Sequence, residues 1–312
     1  PPGSLDALPR VLEVELAPLT LNQNKSVNRA RLVLRDVTDA RNLELVRKDF
    51  VANASHELRT PLTIINGYLE NLIEDEIEDK ENSLNFLTVM QKHGHRLARI
   101  IEDMLTISKL ESHSDTIQIL PFNFKSCTDE VIARLKPLID QKEAELKLLF
   151  PEDSTVNGDV FYWGQILFNL VENALKENEE KGIEISISLT EKDDNFIISV
   201  SDNGVGIPAS SIEFIFKRFY RVDQSRGAEK KGTGLGLSIV KRAIEAHSGE
   251  ITVTSTPGII TTFQVILPKN QKWIINSSRE MARITPGFEE FKKANMVSFS
   301  FLRLIQVLLS LM

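Results

Sequence analysis

Between residues 39 and 112 the chain carries two long runs in which apolar residues return at three- and four-residue steps. The first, from Asp39 to about Ile73, is marked by Leu43, Val46, Phe50, Ala54, Leu58, Leu62, Ile65, Leu69 and Leu72. An acidic tract, Glu74 to Glu81, interrupts it. The second, from about Asn82 to Ser112, is marked by Leu84, Leu87, Met90, Leu97, Ile100, Ile101, Met104, Ile107 and Leu110. Two such helices, each with one apolar stripe, form a hairpin that cannot bury both stripes by itself. A second copy of the chain, completing a four-helix bundle, solves that problem.

Within the first run lies FVANASHELRTPLTIINGYLE, residues 50 to 70. His56 and Thr60 are four apart and share a helical face, and that face is not the apolar one. Pro61 lacks an N–H and its ring meets the carbonyl of Glu57, so a bend is expected one turn beyond the histidine. A lone histidine on a helix is most often surface decoration, so its meaning depends on the rest of the chain.

The net charge of −7 argues against a role in binding nucleic acid, which needs a basic footprint. The single cysteine, Cys127, excludes an internal disulfide and suits a reducing compartment, with core filling as its role. No signal peptide opens the sequence, which reads as cytoplasmic. It starts PPGSLDALPR without an initiator methionine, as a fragment with a missing upstream part would, and that part could cross a membrane. The closing run VSFSFLRLIQVLLSLM is broken by Arg303 and Gln306 and falls short of the ~18 apolar residues of a span, leaving an amphipathic helix, an exposed apolar liability, a sequence oddity or a membrane anchor as readings of the tail.

Residues 11 to 38 alternate apolar and polar around the polar turn Asn22 to Asn28, a β-hairpin pattern that needs partners for stability. After Leu120-Pro121 the pattern turns to mixed α and β. Helices are expected at Phe124–Gln141, Val160–Lys176 and Leu235–Ser248. Strands are expected at Leu146–Phe150, Glu184–Leu189, Phe196–Ser201, Glu250–Ser255 and Thr262–Leu267, in an α/β sandwich with one sheet faced by helices.

Three polar and glycine clusters fall inside that sandwich. Asp202-Asn203-Gly204-Val205-Gly206 follows a strand, so its glycines permit a tight turn and close approach of a planar ligand. Asp202 offers a carboxylate suited to an exocyclic amine. Gly232-Thr233-Gly234-Leu235-Gly236-Leu237 opens a helix, where backbone N–H groups and the helix dipole favour phosphate. Asn169, Asn173 and Lys176 share one helix face, placing amide oxygens for Mg²⁺ beside an ammonium for phosphate. Residues 207 to 231, with Lys217, Arg218, Arg221, Arg226, Lys230 and Lys231, read as a basic lid.

Taken together these segments resemble the bacterial two-component sensor histidine kinases. FVANASHELRTPL is similar to their phosphoacceptor box, NLVENALK to the N box, DNGVGIP to the G1 box, FKRFYRVD to the F box and GTGLGLSIVK to the G2 box, in the family's order. The box wording is most similar to the PhoR-type, phosphate-responsive branch. The resemblance implies an α plus α/β chain: residues 1–38 the end of a PAS-like sensor domain, 39–115 a helical-hairpin domain for dimerisation and histidine phosphotransfer, 116–268 a Bergerat-type ATP-binding domain, and 269–312 a tail. His56 is then the phosphorylated residue, Glu57 the base polarising its other ring nitrogen, and Thr60 the residue positioning water for the reverse phosphatase reaction. Asn173 ligates Mg²⁺, Asn169 and Lys176 reach the phosphates of ATP, and Asp202 reaches adenine. Gly204, Gly206, Gly232, Thr233, Gly234, Leu235 and Gly236 shape the pocket, with Arg218 or Arg221 at the γ-phosphate. The expected partners are a response regulator and a second copy of the chain.

The sequence also departs from the family pattern. Glu177 and Asn178 stand where an aromatic or histidine and then threonine are usual, Tyr162 where arginine is frequent, and Ile260 where a second glycine is. An acid at residue 177 is expected to repel ATP.

Overall fold

The computed structural model describes residues 10–19, 29–74, 80–112, 117–178, 181–222 and 232–269. The turn Asn22 to Asn28, most of the acidic tract, the lid residues Arg226, Lys230 and Lys231, and the tail beyond Lys269 lie outside the described residues.

Strands β1 (Leu12–Leu19) and β2 (Arg29–Asp36) pair antiparallel, Leu12 opposite Asp36. The turn into the first helix is closed by polar groups. Asp36 Oδ1 accepts from the Thr38 backbone N–H (3.0 Å) and hydroxyl (2.6 Å), and Val11 N donates to Thr38 Oγ1 (2.9 Å). Helix α1 (Thr38–Glu74) then runs unbroken through Pro61, which is buried. Helix α2 (Lys80–Ser112) folds back against α1, with Tyr68 and Phe86 in ring contact at 5.1 Å.

Ala54 and Ile100 are buried in this hairpin, but Leu45, Val46, Val51, Leu62, Leu69 and Ile73 on α1 stay exposed, as do Leu84, Leu87, Ile101 and Leu105 on α2. The expected shortfall of a lone hairpin is therefore present. Toward the C-terminus of α2 the stripe finds cover: Ile107 and Leu110 belong to the core of the following α/β region, and Phe50 and Met104 pack against it.

That region contains β3 (Leu120–Asn123), α3 (Phe124–Lys142), β4 (Glu145–Leu149), β5 (Thr155–Gly158), α4 (Val160–Glu177), β6 (Glu184–Lys192) and β7 (Asn195–Asp202). It continues with α5 (Ala209–Ile212), α6 (Gly236–Ala246), β8 (Glu250–Thr256) and β9 (Ile260–Pro268). The main sheet has the order β4-β6-β7-β9-β8, parallel only at β4-β6; β3 and β5 form a separate antiparallel pair. Every strand and helix expected here is present. The short pair β3-β5 is additional, too brief and too polar in pattern to announce itself.

Burial alternates along β6, β7 and β9, so one sheet face packs inward while the other keeps its serines and threonines outward. Helices α3, α4 and α6 lie side by side, with α4 on β7 and α6 on β8. Trp163, Phe124, Ile166, Leu167, Ile185, Ile187 and Leu235 fill the space between helices and sheet. Cys127 is buried among them, as expected of a core filler.

Candidate active site

Helix α4 is held at its start by a short chain of hydrogen bonds. Asp159 caps it by accepting from Phe161 N (3.0 Å), while its own backbone N–H donates to His247 Nε2 (2.9 Å). His247 Nδ1 in turn lies 2.6 Å from Ala243 O, which assigns the neutral Nδ1–H tautomer. Trp163, fully buried, anchors the next turn.

With its start fixed, α4 presents Asn169, Asn173 and Lys176 along one face. Asn169 is buried, and its Nδ2 has no partner among the described residues. Its Oδ1 lies 2.9 Å from the place a Cβ on Gly236 would occupy, so a side chain on the first residue of α6 would push the Asn169 amide aside. Asn173 is half-buried, and Lys176 Nζ pairs with Glu172 Oε1 at 2.8 Å.

Asp202 ends β7 with Oδ1 accepting from Gly204 N (3.0 Å). Burial raises its pKa above the usual carboxylate value, and the hydrogen bonds from Gly204 and Asn178 partly oppose that rise. Gly206 has φ +78°, and a Cβ there would come 2.6 Å from Pro257 Cα, so no other residue fits this turn.

The G2-like loop clasps the segment before it. Phe219 N donates to Gly234 O (2.8 Å), and both residues have positive φ, 60° and 70°. A Cβ on Gly234 would stand 2.8 Å from Phe219 Cα. Thr233 Oγ1 accepts from Leu235 N (3.2 Å) and donates to Asp103 Oδ2 on α2 (2.7 Å), while Leu235 is fully buried. Gly232 is exposed with open space around it. The described part of the expected lid, residues 207–222, carries only the one-turn α5.

Contacts between this pocket and the hairpin were not foreseen. Arg99 of α2 makes a two-pronged ion pair with Glu172, one arm at 2.8 Å. Burial raises the Glu172 pKa, but Arg99 and Lys176 outweigh burial and leave it below the usual value. Arg218 pairs with Glu111 and lies 5.0 Å over the Phe50 ring, which itself meets Phe219 at 5.8 Å. Arg218 is thus turned to the hairpin. Arg221 instead feels the charges of Glu57, Arg96 and Glu177, and its buried Nη2 has no hydrogen-bond partner among the described residues.

His56 stands exposed on α1, and the Thr60 hydroxyl, also exposed, donates to its backbone carbonyl at 3.3 Å. The Glu57 carboxylate is engaged by Arg96 Nη2 at 3.0 Å. Tyr162 is turned into the core, and Ile260 opens β9 at the surface. Arg99, Asp103 and Glu111 carried no signal in the sequence beyond being charges on amphipathic helices, and Glu172 was visible only as part of the segment NLVENALK. Asn178 was visible only as a departure from the family pattern.

An exposed histidine on a helical hairpin is thus joined to an α/β sandwich in which glycine turns meet a polar helix face. Residues 46–113 match the His Kinase A (phospho-acceptor) domain, and residues 158–271 match the histidine kinase-, DNA gyrase B-, and HSP90-like ATPase family. The chain belongs to the two-component sensor histidine kinases.

Among its relatives is the sensor histidine kinase WalK of Bacillus subtilis, 38% identical over 246 residues, which cover 77% of this chain and 39% of the relative. The WalK protein of Staphylococcus aureus is 36% identical, with 76% of this chain and 57% of the relative covered. This chain therefore spans well under two thirds of those relatives. The solved histidine kinase AdeS of Acinetobacter baumannii superposes with a TM-score of 0.57 at 26% identity, covering 69% of this chain and 98% of that one. These relatives carry the WalK name, so the branch within the family stays at the coarser level of sensor histidine kinase. Among the described residues no helix is long and apolar enough to cross a membrane.

Proposed function

We propose that the chain is the kinase core of a sensor protein, transferring the γ-phosphoryl group of ATP to His56 and then to an aspartate of a response regulator. The observation that carries this reading is the pairing, in one chain, of an exposed helical histidine with a buried Asn169 amide left unpartnered beside the bare turn at Gly236. A buried donor without a partner is costly, and a ligand oxygen relieves it.

In this reading His56 attacks through the lone pair of a ring nitrogen. Glu57 stabilises the imidazole as positive charge develops, once released from Arg96, and Thr60 positions water for the reverse reaction. Asn169 and Lys176 hold phosphates. Asn173 holds Mg²⁺, which when bound neutralises phosphate charge. Asp202 accepts from the adenine amine, and Gly204, Gly206, Gly232, Thr233, Gly234, Leu235 and Gly236 shape the pocket. Arg221, its Nη2 lacking a hydrogen-bond partner among the described residues, is the better of the two arginines for the γ-phosphate, and its charge offsets that of Glu177. The exposed stripes of α1 and α2 favour a homodimer. Both ATP and response regulators are cytoplasmic, which places this part of the protein there. We also assign residues 39–115 to the phosphotransfer domain and 116–268 to the catalytic domain.

The test is incubation with γ-labelled ATP and Mg²⁺. An acid-labile label is expected on the wild-type chain and not on His56→Gln; a label that survives this substitution refutes the assignment. A second reading, a phosphatase-dominant module with weak nucleotide binding, is favoured by the engagement of Lys176 with Glu172. Saturable, tight ATP binding excludes it.

A further inference from the structure

The N-box helix α4 ends at Asn178, and the side chain of this residue is occupied in an unusual way. It is 5% exposed. Its Nδ2 donates back to Ala174 O (2.7 Å), and its Oδ1 accepts from Val205 N (2.6 Å) in the loop after Asp202. It packs so closely beneath Gly204 that a Cβ there would lie 1.9 Å from Oδ1 and 2.1 Å from Nδ2. Lys142 Nζ, from α3, fastens the Asn178 carbonyl as well. One amide thus ties the end of α4 to the loop that carries the base-facing carboxylate.

We infer that Asn178 is a positioning residue that sets the nucleobase preference of the site, by holding Asp202 and its loop so that the carboxylate acts only as a hydrogen-bond acceptor. This rests on the reading of the pocket as an ATP site. Adenine presents an amine at C6, whereas hypoxanthine presents a carbonyl. An ionised carboxylate accepts from the first and repels the second. Asp202 is half-buried, and that burial raises its pKa toward the neutral, donating form, which pairs with a carbonyl as readily as with an amine. The Asn178 oxygen opposes this by holding Val205, and so the loop, in place, which keeps the Gly204 N–H donating to the ionised carboxylate. Serine or alanine at this position can satisfy at most part of that set.

The experiment is calorimetric titration of the full chain with Mg²⁺ and three probes: a non-hydrolysable ATP analogue, the corresponding inosine nucleotide and inorganic tripolyphosphate. The wild-type chain should prefer adenine. In Asn178→Ala and Asn178→Ser the adenine-to-hypoxanthine ratio should fall about tenfold, as loss of one charge-assisted hydrogen bond implies, with tripolyphosphate binding unchanged. A wild-type ratio in both variants overturns the inference while leaving the ATP site intact. Loss of tripolyphosphate binding together with both nucleotides shows a purely structural role and also overturns it. A wild-type chain that binds no adenine nucleotide instead refutes the ATP site itself, and the inference with it.

Discussion

The ion pair between Arg99 on the hairpin and Glu172 on α4 should be measurable as a coupling between the two modules. Its geometry is two-pronged, with Nη1 to Oε1 at 2.8 Å and Nη2 to Oε2. Hydrogen bonds between charged groups contribute about 1.5–3 kcal/mol each, and a fully buried pair more. Two features reduce that figure here. The Arg99 side chain is 34% exposed, so solvent screens it, and Lys176 remains 2.8 Å from Glu172 when Arg99 is removed, so no bare charge is left behind. A coupling of about 1–2 kcal/mol follows, roughly a five- to thirtyfold effect on the folding equilibrium. The cycle consists of Arg99→Gln, Glu172→Gln and the double variant, each unfolded in urea and followed by circular dichroism. In about 1 M salt, where screening acts within about 3 Å, the coupling should shrink without vanishing. A coupling under about 0.3 kcal/mol in low salt, with each variant still folded, refutes the pair as a bond between the modules.

Other outcomes are open to direct measurement. Burial depresses the His247 pKa below its ordinary 6.5, so below that pH the unfolded chain binds the extra proton and folding is opposed. Stability should be flat above about pH 6.5 and fall as the pH drops through the folded-state value, and His247→Asn should lose this slope in pH-dependent melting. The Cys127 thiol is pushed up to about 11, first by burial and then by Glu130, so it should resist a thiol reagent at about pH 8 until denaturant is added. Gly234→Ala should cost ~1–2 kcal/mol for the left-handed backbone, plus the collision with Phe219. It should lower the melting temperature and weaken nucleotide binding at least tenfold; wild-type values in both would refute the clasp.

Much of the scaffold is legible because its signals are local. The three- and four-residue periodicity of α1 and α2 and the alternation of β6, β7 and β9 are properties of a few consecutive side chains. So are Asn169, Asn173 and Lys176 on one face of α4, since helical spacing alone aligns them. Strands β3 and β5 escaped notice because four residues, with a proline at Pro121, carry too little pattern to separate a strand from a loop.

What required the tertiary structure was the pairing of charges far apart in the chain. Nothing near Glu172 in sequence indicates that Arg99 reaches it, nor that Thr233 donates to Asp103, because those contacts depend on how α2 lies against α4 and α6. Arg218 and Arg221 looked equivalent as neighbours in one basic segment. Packing turned the first onto Glu111 and Phe50 and set the second among the charges of Glu57, Arg96 and Glu177. Asn178 makes the same point: its sequence shows an amide where threonine is usual, and only the approach of the Gly204 turn brings Val205 N onto that amide. Local periodicity determined the elements and the faces they offer, whereas the docking of hairpin on sandwich decided which charges meet, because that choice is made by packing between surfaces distant in the chain.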